Sequence, residues 1–390
     1  MKLFWPKNVK FNEALENLNS QELNRPFANE IVAFTQNLSK RFVQMRHMPE
    51  VVALGYWLRK ASMKKMQAEF DKTTEGKLVL ARGTTFHIAP SNVDTIFVYS
   101  WMLSLLAGNR NIIRISNKTE INEMLQVILE ELTYFEVVAK QTIICTYGHE
   151  ETATETISLV CHTRVIWGGD ETVKAIRKVP LAPLANELTF PDRFSLAVLN
   201  AEKVAQLDAE ALDALLEQFY NDVFWFDQKA CSSPRLVVWV GEKFDAFWKA
   251  FEGKIQAKKY ELLAATQVLK YTTSLQLATE SYVEKVVPTT YFSCVMLDDV
   301  PKNVREQHCG GGLFYEYEVK NLIDLAQVII DKDQTIAYFG FEKLELIELV
   351  NSISTRGIDR IVPIGRALEF NGIWDGQSFL TSFTREVLIK

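Results

Sequence analysis

Between Lys77 and Leu199 short β-branched, apolar runs alternate with amphipathic stretches, a pattern that few folds accept. The runs Thr84–Ile88, Asn111–Ile115, Thr142–Tyr147, Val165–Trp167 and Ser195–Leu199 predict strands. Val93–Ala107, Glu120–Phe135, Glu151–Leu159 and Glu171–Lys178, lying between them, predict helices. Strands alternating with helices in this way predict an α/β chain built on a doubly wound, mostly parallel sheet. Such a sheet binds ligands at the carboxyl ends of its strands, where each strand turns into the following helix.

Three of those turns carry residues suited to a ligand. The first, Phe86 to Val93, has no G-x-G-x-x-G fingerprint; instead Pro90 fixes a tight exit from the strand, Ser91 can cap the next helix, and Asn92 projects from its start. Plain turn chemistry explains Pro-Ser-Asn equally well. At the second turn Arg114 and Ser116 stand where a strand ends and can meet a ribose or phosphate, or be an ordinary surface pair. At another, Gly168, Gly169 and Asp170 follow Trp167, and the glycines let a ligand approach the backbone just before a helix N-terminus. A simple turn has the same composition.

A different constraint governs the second half. Ala209–Phe226 repeats Leu212, Leu215, Leu216, Phe219, Val223 and Phe224 at helical spacing, and Leu236–Val240 is an apolar run between Pro234 and Gly241 that reads as a buried strand. Cys231 falls in the turn between them. A thiol at such a turn has the access and the donor-rich surroundings that a nucleophile needs, whereas an isolated cysteine is otherwise most often an inert packing residue. Cys309, beside Gly310, Gly311 and Gly312, is a rival nucleophile or a loop thiol. Cys145 and Cys161 read as packing residues, and His47, His149 and His162 have no partners in sequence that suggest a triad or a metal site.

Composition narrows the class. With 390 residues the chain is long enough for two main domains, and 48% hydrophobic against 24% charged residues describes a globular protein. A net charge of -6 argues against a nucleic-acid partner bound through a broad basic face. The odd, unclustered set of 5 cysteines describes neither a disulfide framework nor a zinc site and fits a reducing cytoplasm. The start, Met1 to Asn8, lacks the apolar core of a signal peptide, and the longest apolar stretch, Thr95 to Gly108, is too short to span a bilayer. Residues 9–70 are helical in pattern and predict an N-terminal layer for packing and oligomer contact; Arg59, Lys60, Lys64 and Lys65 read as its solvated face.

Taken together, these segments resemble the LuxC-type acyl-CoA reductases, the fatty-acyl-reductase branch of the aldehyde dehydrogenase superfamily. The resemblance runs in order through His87–Asn92, Leu106–Asn109, Arg164–Asp170, Glu187–Phe190, Asp192–Ser195, Phe226–Gln228, Cys231–Pro234, Gly357–Gly365 and Trp374–Gly376. It implies an aldehyde dehydrogenase-like fold, with a variant Rossmann cofactor domain and an α/β catalytic domain beside the helical N-terminal layer. Its expected divisions are a helical layer over 1–76, an NADP-binding domain over 77–205, a catalytic domain over 206–375, and an extended segment over 376–390 for oligomer contact.

The resemblance further implies NADPH-dependent reduction of an acyl thioester to an aldehyde. Cys231 matches the nucleophile and Asn92 the oxyanion-binding Asn; Arg114 and Ser116 match adenosine-ribose contacts. Pro90, Ser91, Gly168, Gly169 and Asp170 match the cofactor-facing turns. The expected donor is acyl-CoA or an acyl group on a partner protein, delivered by a LuxE-like acyl-activating synthetase, with homo-oligomerisation, no nucleic acid and no membrane span. Other readings are an aldehyde dehydrogenase working in the oxidative direction with Glu187 as its base, although the glycines that usually follow that Glu are missing, and a catalytically silent scaffold subunit. The superfamily's later Glu, which contacts the nicotinamide ribose, falls near His308–Gly312, where no carboxylate stands. Asn117 stands where NAD-preferring relatives often carry an acid, and Arg114 and Lys118 then favour a 2′-phosphate.

Overall fold

A computed structural model describes residues 1–90, 95–116, 122–148 and 152–390. Two compact units divide the chain, one from residues 1–192 and 370–390, the other from 193–369. Among the described residues the first unit contains strands β1 (Lys2–Trp5), β2 (Leu78–Ala81), β3 (Thr84–Ile88), β4 (Arg110–Arg114), β5 (Thr142–Thr146), β6 (Thr163–Trp167) and β7 (Asn186–Phe190). Its main sheet has the order β1-β5-β4-β3-β6-β7, parallel except for β1, which pairs antiparallel with β5.

Every residue of β3 is buried, as a central parallel strand covered on both faces requires. One cover is the helix Thr95–Leu106, apolar all round and buried along nearly its whole length. Against it pack the N-terminal helices, with Phe34 meeting Trp101 edge-on at 5.7 Å. The helical pattern of residues 9–70 therefore marks part of this unit's core: Ile31, Phe34, Leu38 and Phe42 are all fully buried along Asn29–Phe42. The C-terminal extended segment forms a strand, Thr384–Val387, that pairs antiparallel with β2 of its own chain.

The second unit holds β8 (Phe194–Asn200), β9 (Pro234–Val240), β10 (Val283–Pro288), β11 (Ser293–Leu297), β12 (Leu313–Val319), β13 (Asp333–Phe339) and β14 (Arg360–Pro363), in the order β10-β11-β12-β9-β8-β13-β14. Only β10 runs antiparallel to its neighbour. One face buries Leu196, Val198, Leu236 and Val238; the other buries Ala197, Leu199, Val237 and Trp239 beneath the helix Ala209–Phe224.

The strand expected over Ser195–Leu199 forms, but it belongs to this second sheet, between β9 and β13. Periodicity marks a strand without naming its partners, and here the partner is chosen by Arg193. Its guanidinium donates to the carbonyls of Lys332 and Asp333 and to Asp359 Oδ2 at 2.7 Å, which fixes the start of β8 beside β13. The place left in the first sheet is filled by β7, whose Asn186–Phe190 lies beside Thr163–Trp167. A buried pair closes the same region, Arg305 bonding both oxygens of Asp333 at 2.9 and 2.7 Å with neither side chain exposed. Among the described residues no helix is long and apolar enough to cross a membrane.

His87, fully buried in β3, bonds Ser100 Oγ at 2.8 Å and Asn111 Oδ1 at 3.0 Å, and burial pushes its pKa down to about 4. The folded-state pKa is depressed, so below about 6.5 the unfolded chain takes up the proton first and stability is lost as pH falls toward 4. Between pH 6.5 and 5 this amounts to about 2 kcal/mol. Urea unfolding of the first unit should show that loss in the wild type, and His87→Leu should remove this part of the pH dependence; parallel pH profiles for the two proteins would contradict it.

Candidate active site

In the first unit the register places Ile88 beside Arg114 on one side and Ile166 on the other. Ala89–Pro90, Ile115–Ser116 and Trp167–Gly169 therefore leave the sheet along one carboxyl edge. From β3 the chain builds outward through β4 and β5, then resumes on the other flank with β6 and β7. The order reverses between β3 and β6, the place where an open α/β sheet forms its ligand crevice.

The two glycines at that crevice differ. A Cβ on Gly168 would come within 2.9 Å of Thr172 Cγ2, whereas one on Gly169 would meet nothing within 4 Å among the described residues. Gly168 is thus needed for packing, and Gly169 leaves open backbone at the N-terminus of the helix Asp170–Arg177, without a side-chain cap. Asp170 is exposed in the first turn of that helix, where its charge complements the helix dipole. Trp167 Nε1 and Thr146 Oγ1, in residues that end two of these strands, are buried without a partner among the described residues. Such groups mark places where a ligand can supply the missing bond. Arg114 donates to the Tyr147 carbonyl at 3.3 Å and lies 5.4 Å over its ring, while Ser116 is buried beside it. The open Gly169 backbone at a helix N-terminus fits a phosphate-bearing dinucleotide. Ser91, Asn92, Asn117, Lys118 and His149 lie outside the described residues.

In the second unit Cys231 stands three residues before β9 begins, at the amino edge of the parallel strands. It is half-buried, while Ser232 and Ser233 beside it are buried. The chain reaches it through two left-handed residues, Asp227 (φ 50°) and Gln228 (φ 59°). Neither is glycine, so each conformation costs about 1–2 kcal/mol and needs compensation.

Compensation comes from several bonds. Tyr260 donates its hydroxyl to Asp227 Oδ1 at 2.6 Å, and the Gly311 amide donates to the Asp227 carbonyl at 2.9 Å. Gln228, fully buried, donates its amide nitrogen to the Pro234 carbonyl at 2.9 Å and accepts the Gly312 N–H on Oε1 at 2.9 Å. Beyond the cysteine, Ser195 Oγ donates to the Cys231 carbonyl at 2.7 Å.

The glycine loop is the counterpart of this turn. Gly310, Gly311 and Gly312 are all left-handed, with φ of 73°, 65° and 81°. A Cβ on Gly311 would come within 2.5 Å of Thr266 Cγ2, and one on Gly312 within 3.0 Å of the Tyr291 carbonyl. Their amides are spent on His308 Nδ1, the Asp227 carbonyl and Gln228 Oε1, so the loop does not present an anion-binding nest. Because His308 Nδ1 accepts, its Nε2 carries the proton and donates to the Leu313 carbonyl at 2.6 Å. Burial, with the nearby Arg235 cation, holds that imidazole neutral.

Of the other thiols, Cys309 is half-buried like Cys231, while Cys145, Cys161 and Cys294 are buried. Burial pushes Cys309 up, partly countered by Thr273 and Lys270, raises Cys161 to about 12, and raises Cys294 well above the ordinary thiol range. A raised pKa leaves little thiolate at neutral pH. Lys270, nearly buried, donates to the Tyr291 carbonyl at 2.6 Å, and burial lowers its pKa to about 8. Sequence reading missed the Gln228–Gly312 link and the Tyr260 contact. Its only signals were Asp227–Gln228 just ahead of a cysteine and three consecutive glycines before a strand.

Glu187 lies in the amino-terminal half of β7, opposite Arg164 and away from the carboxyl edge. Both its oxygens are engaged, Oε2 by Arg164 Nε at 2.8 Å and Oε1 by Arg177 Nε at 2.9 Å. A base for activating water needs a free carboxylate, and both oxygens of Glu187 are engaged by arginines.

The architecture is that of an aldehyde dehydrogenase. Aldehyde dehydrogenase 21 from Physcomitrella patens, solved with its reaction product succinate, aligns over 97% of this chain and 90% of that one, with a TM-score of 0.70 and 10% identity. Glyceraldehyde-3-phosphate dehydrogenase GapN from Methanocaldococcus jannaschii, solved with NADP, covers 96% and 92% with a TM-score of 0.67 and 12% identity. At such identities the likeness is one of fold alone.

Within that architecture the chain belongs to the acyl-CoA reductase (LuxC) family, whose model it matches over residues 11–266. It is similar to the long-chain acyl-protein thioester reductase of Aliivibrio fischeri, at 25% identity over 179 residues, covering 45% of this chain and 35% of that protein. The protein of the same name from Photorhabdus laumondii is 22% identical over 295 residues, covering 73% and 58%. The chain thus matches less than two thirds of the length of either relative.

Glu187→Ala should lower the stability of the first unit by about 3 kcal/mol, because it leaves the buried Arg164 guanidinium without its carboxylate. Urea unfolding would measure this, and a loss below about 0.5 kcal/mol would mean that the pair has no structural role.

Proposed function

We propose that the protein reduces an acyl thioester, on CoA or on a partner protein, to an aldehyde with NADPH, through an acyl group carried on Cys231. The observation that carries this reading is the half-exposed Cys231 on a turn braced from both sides, in a chain of the acyl-CoA reductase family. The relatives' name supports the thioester as substrate, and the GapN complex supports a nicotinamide cofactor. NADPH over NADH rests on Asn117 at a position where an acid would repel a 2′-phosphate, with Arg114 and Lys118 beside it in sequence.

In the proposed reaction the Cys231 thiolate attacks the thioester carbonyl. The new C–S bond forms as the carbonyl electrons move to oxygen, and collapse of that oxyanion expels the donor thiolate, which takes a proton. The Asn92 side-chain amide and the Cys231 backbone N–H are assigned to the oxyanion, and one such donor is worth about 3–4 kcal/mol of barrier. NADPH supplies the hydride. The acyl-cysteine thereby becomes a thiohemiacetal, whose collapse frees the aldehyde and restores the Cys231 thiolate. Pro90, Ser91, Gly168, Gly169 and Asp170 are assigned to the cofactor's phosphate side, Arg114 and Ser116 to its adenosine ribose.

Oxidation of an aldehyde to an acid would need a base that Glu187, held by two arginines, does not offer. The reading also gives the protein a cytoplasmic setting and an acyl-activating synthetase of the LuxE type as partner, with self-association to be measured by light scattering.

The test is oxidation of NADPH dependent on acyl-CoA across chain lengths, with aldehyde identified as product. Cys231→Ala should lose activity by about 1000-fold or more, while Cys309→Ala retains it. Asn92→Ala should lose about 100- to 1000-fold in kcat. NADPH should exceed NADH in kcat/KM by about tenfold, a difference of about 1.4 kcal/mol; equal values would remove the cofactor assignment. Activity surviving in Cys231→Ala would remove the nucleophile.

A further inference from the structure

Gln228 has no assigned part in the chemistry, yet its carboxamide is placed across the turn that carries Cys231. It is fully buried, and its two ends do different work. Nε2 donates to the carbonyl of Pro234, the first residue of β9, and Oε1 accepts from Gly312, the last residue before β12. The side chain thus spans the segment Lys229–Ser233 from one side to the other and ties it to the neighbouring strand. Its own backbone is locked in the left-handed region by a bond from its amide to the Val223 carbonyl at 2.7 Å.

We infer that Gln228 is a positioning residue, a buried splint that sets where the Cys231 thiol and backbone N–H stand. The inference rests on the reading of Cys231 as the nucleophile. The glycine loop serves as the anchor: only a left-handed Gly312 can aim its N–H at Gln228 while its Cα approaches the Tyr291 carbonyl. Lys270, bonded to that same carbonyl, and Tyr260, bonded to Asp227, brace the anchor and the turn. With the carboxamide gone, Pro234 and Gly312 lose their shared partner and the five residues between Gln228 and Pro234 lose their crosslink. The thiol then wanders from its set exposure, and reactions that need it aligned slow down.

Methionine at position 228 keeps the length and volume of glutamine but can neither donate nor accept well; asparagine is one methylene too short to reach both partners. The full-length wild type, Gln228→Met and Gln228→Asn would be compared in thermal midpoint, in the rate constant for alkylation of Cys231 by iodoacetamide at neutral pH, and in kcat and KM for aldehyde formation from a long-chain acyl-CoA. Gln228→Met should slow kcat by about tenfold or more with KM within about twofold and shift the alkylation rate constant by more than about twofold, its midpoint staying within a few degrees, and Gln228→Asn should fall between. Should Gln228→Met fail to fold, Gln228→Asn decides. Folded variants with alkylation and kcat within about twofold of wild type overturn the inference, as does a loss that follows the thermal midpoint and raises KM alike. A wild type that makes no aldehyde from acyl-CoA removes CoA as the donor, and none from an acyl-protein thioester either would overturn the proposed function, while the alkylation comparison still judges the splint.

Discussion

Asp227 and Gln228 are left-handed without being glycine, and they are held in that shape by bonds from Gly311 and Gly312 together with Tyr260 and the Val223 and Pro234 carbonyls. The arrangement is reciprocal. The loop needs glycine at each position to take its own left-handed course and to clear Thr266 and the Tyr291 carbonyl, and the turn supplies acceptors for two of its three amides. Strain in the turn is therefore offset by bonds that exist only when β9 and β12 are already paired. Local conformation at Cys231 is a property of the second sheet as a whole.

Each unit offers a different edge of a parallel sheet. In the first, Pro90, Ser116 and Gly169 gather at the carboxyl edge, where the strand order reverses and backbone at a helix N-terminus lies open. In the second, Cys231 stands at the amino edge, where β8, β9 and β12 begin and where Ser195, Gln228 and Gly312 converge. A carboxyl edge followed by helix N-termini suits a phosphate-bearing ligand. An amino edge entered through tight turns suits a side chain that must be held in one place.

Polar groups decide the boundaries that hydrophobic pattern leaves open. Arg193 selects β13 as a neighbour for β8 by bonding Asp359 and two carbonyls, and Arg305 with Asp333 seals the same corner. Glu187 illustrates the opposite case. Its motif suggested chemistry, and the register sets it beside Arg164, where it serves as an ion-pair partner.

The alternation from Lys77 onward, the apolar runs that became β3 to β6, and the turn holding Cys231 were legible in the sequence, because periodicity and turn composition are local properties. The motifs in their order also carried the family. Local pattern could not reveal that Phe194–Asn200 joins the second sheet, that Lys2–Trp5 and Asn186–Phe190 close the first, or that Leu78–Ala81 pairs with Thr384–Val387. Nor could it show that Gln228 reaches Gly312, 84 residues away. Sequence by itself determined the segments whose pattern is strongest, the strands β3 to β6, β8 and β9 and the helices between them, since those follow from each residue's neighbours along the chain. Only the tertiary structure decided which strands pair and which side chains brace the cysteine, since those bonds form between residues that the fold alone brings together.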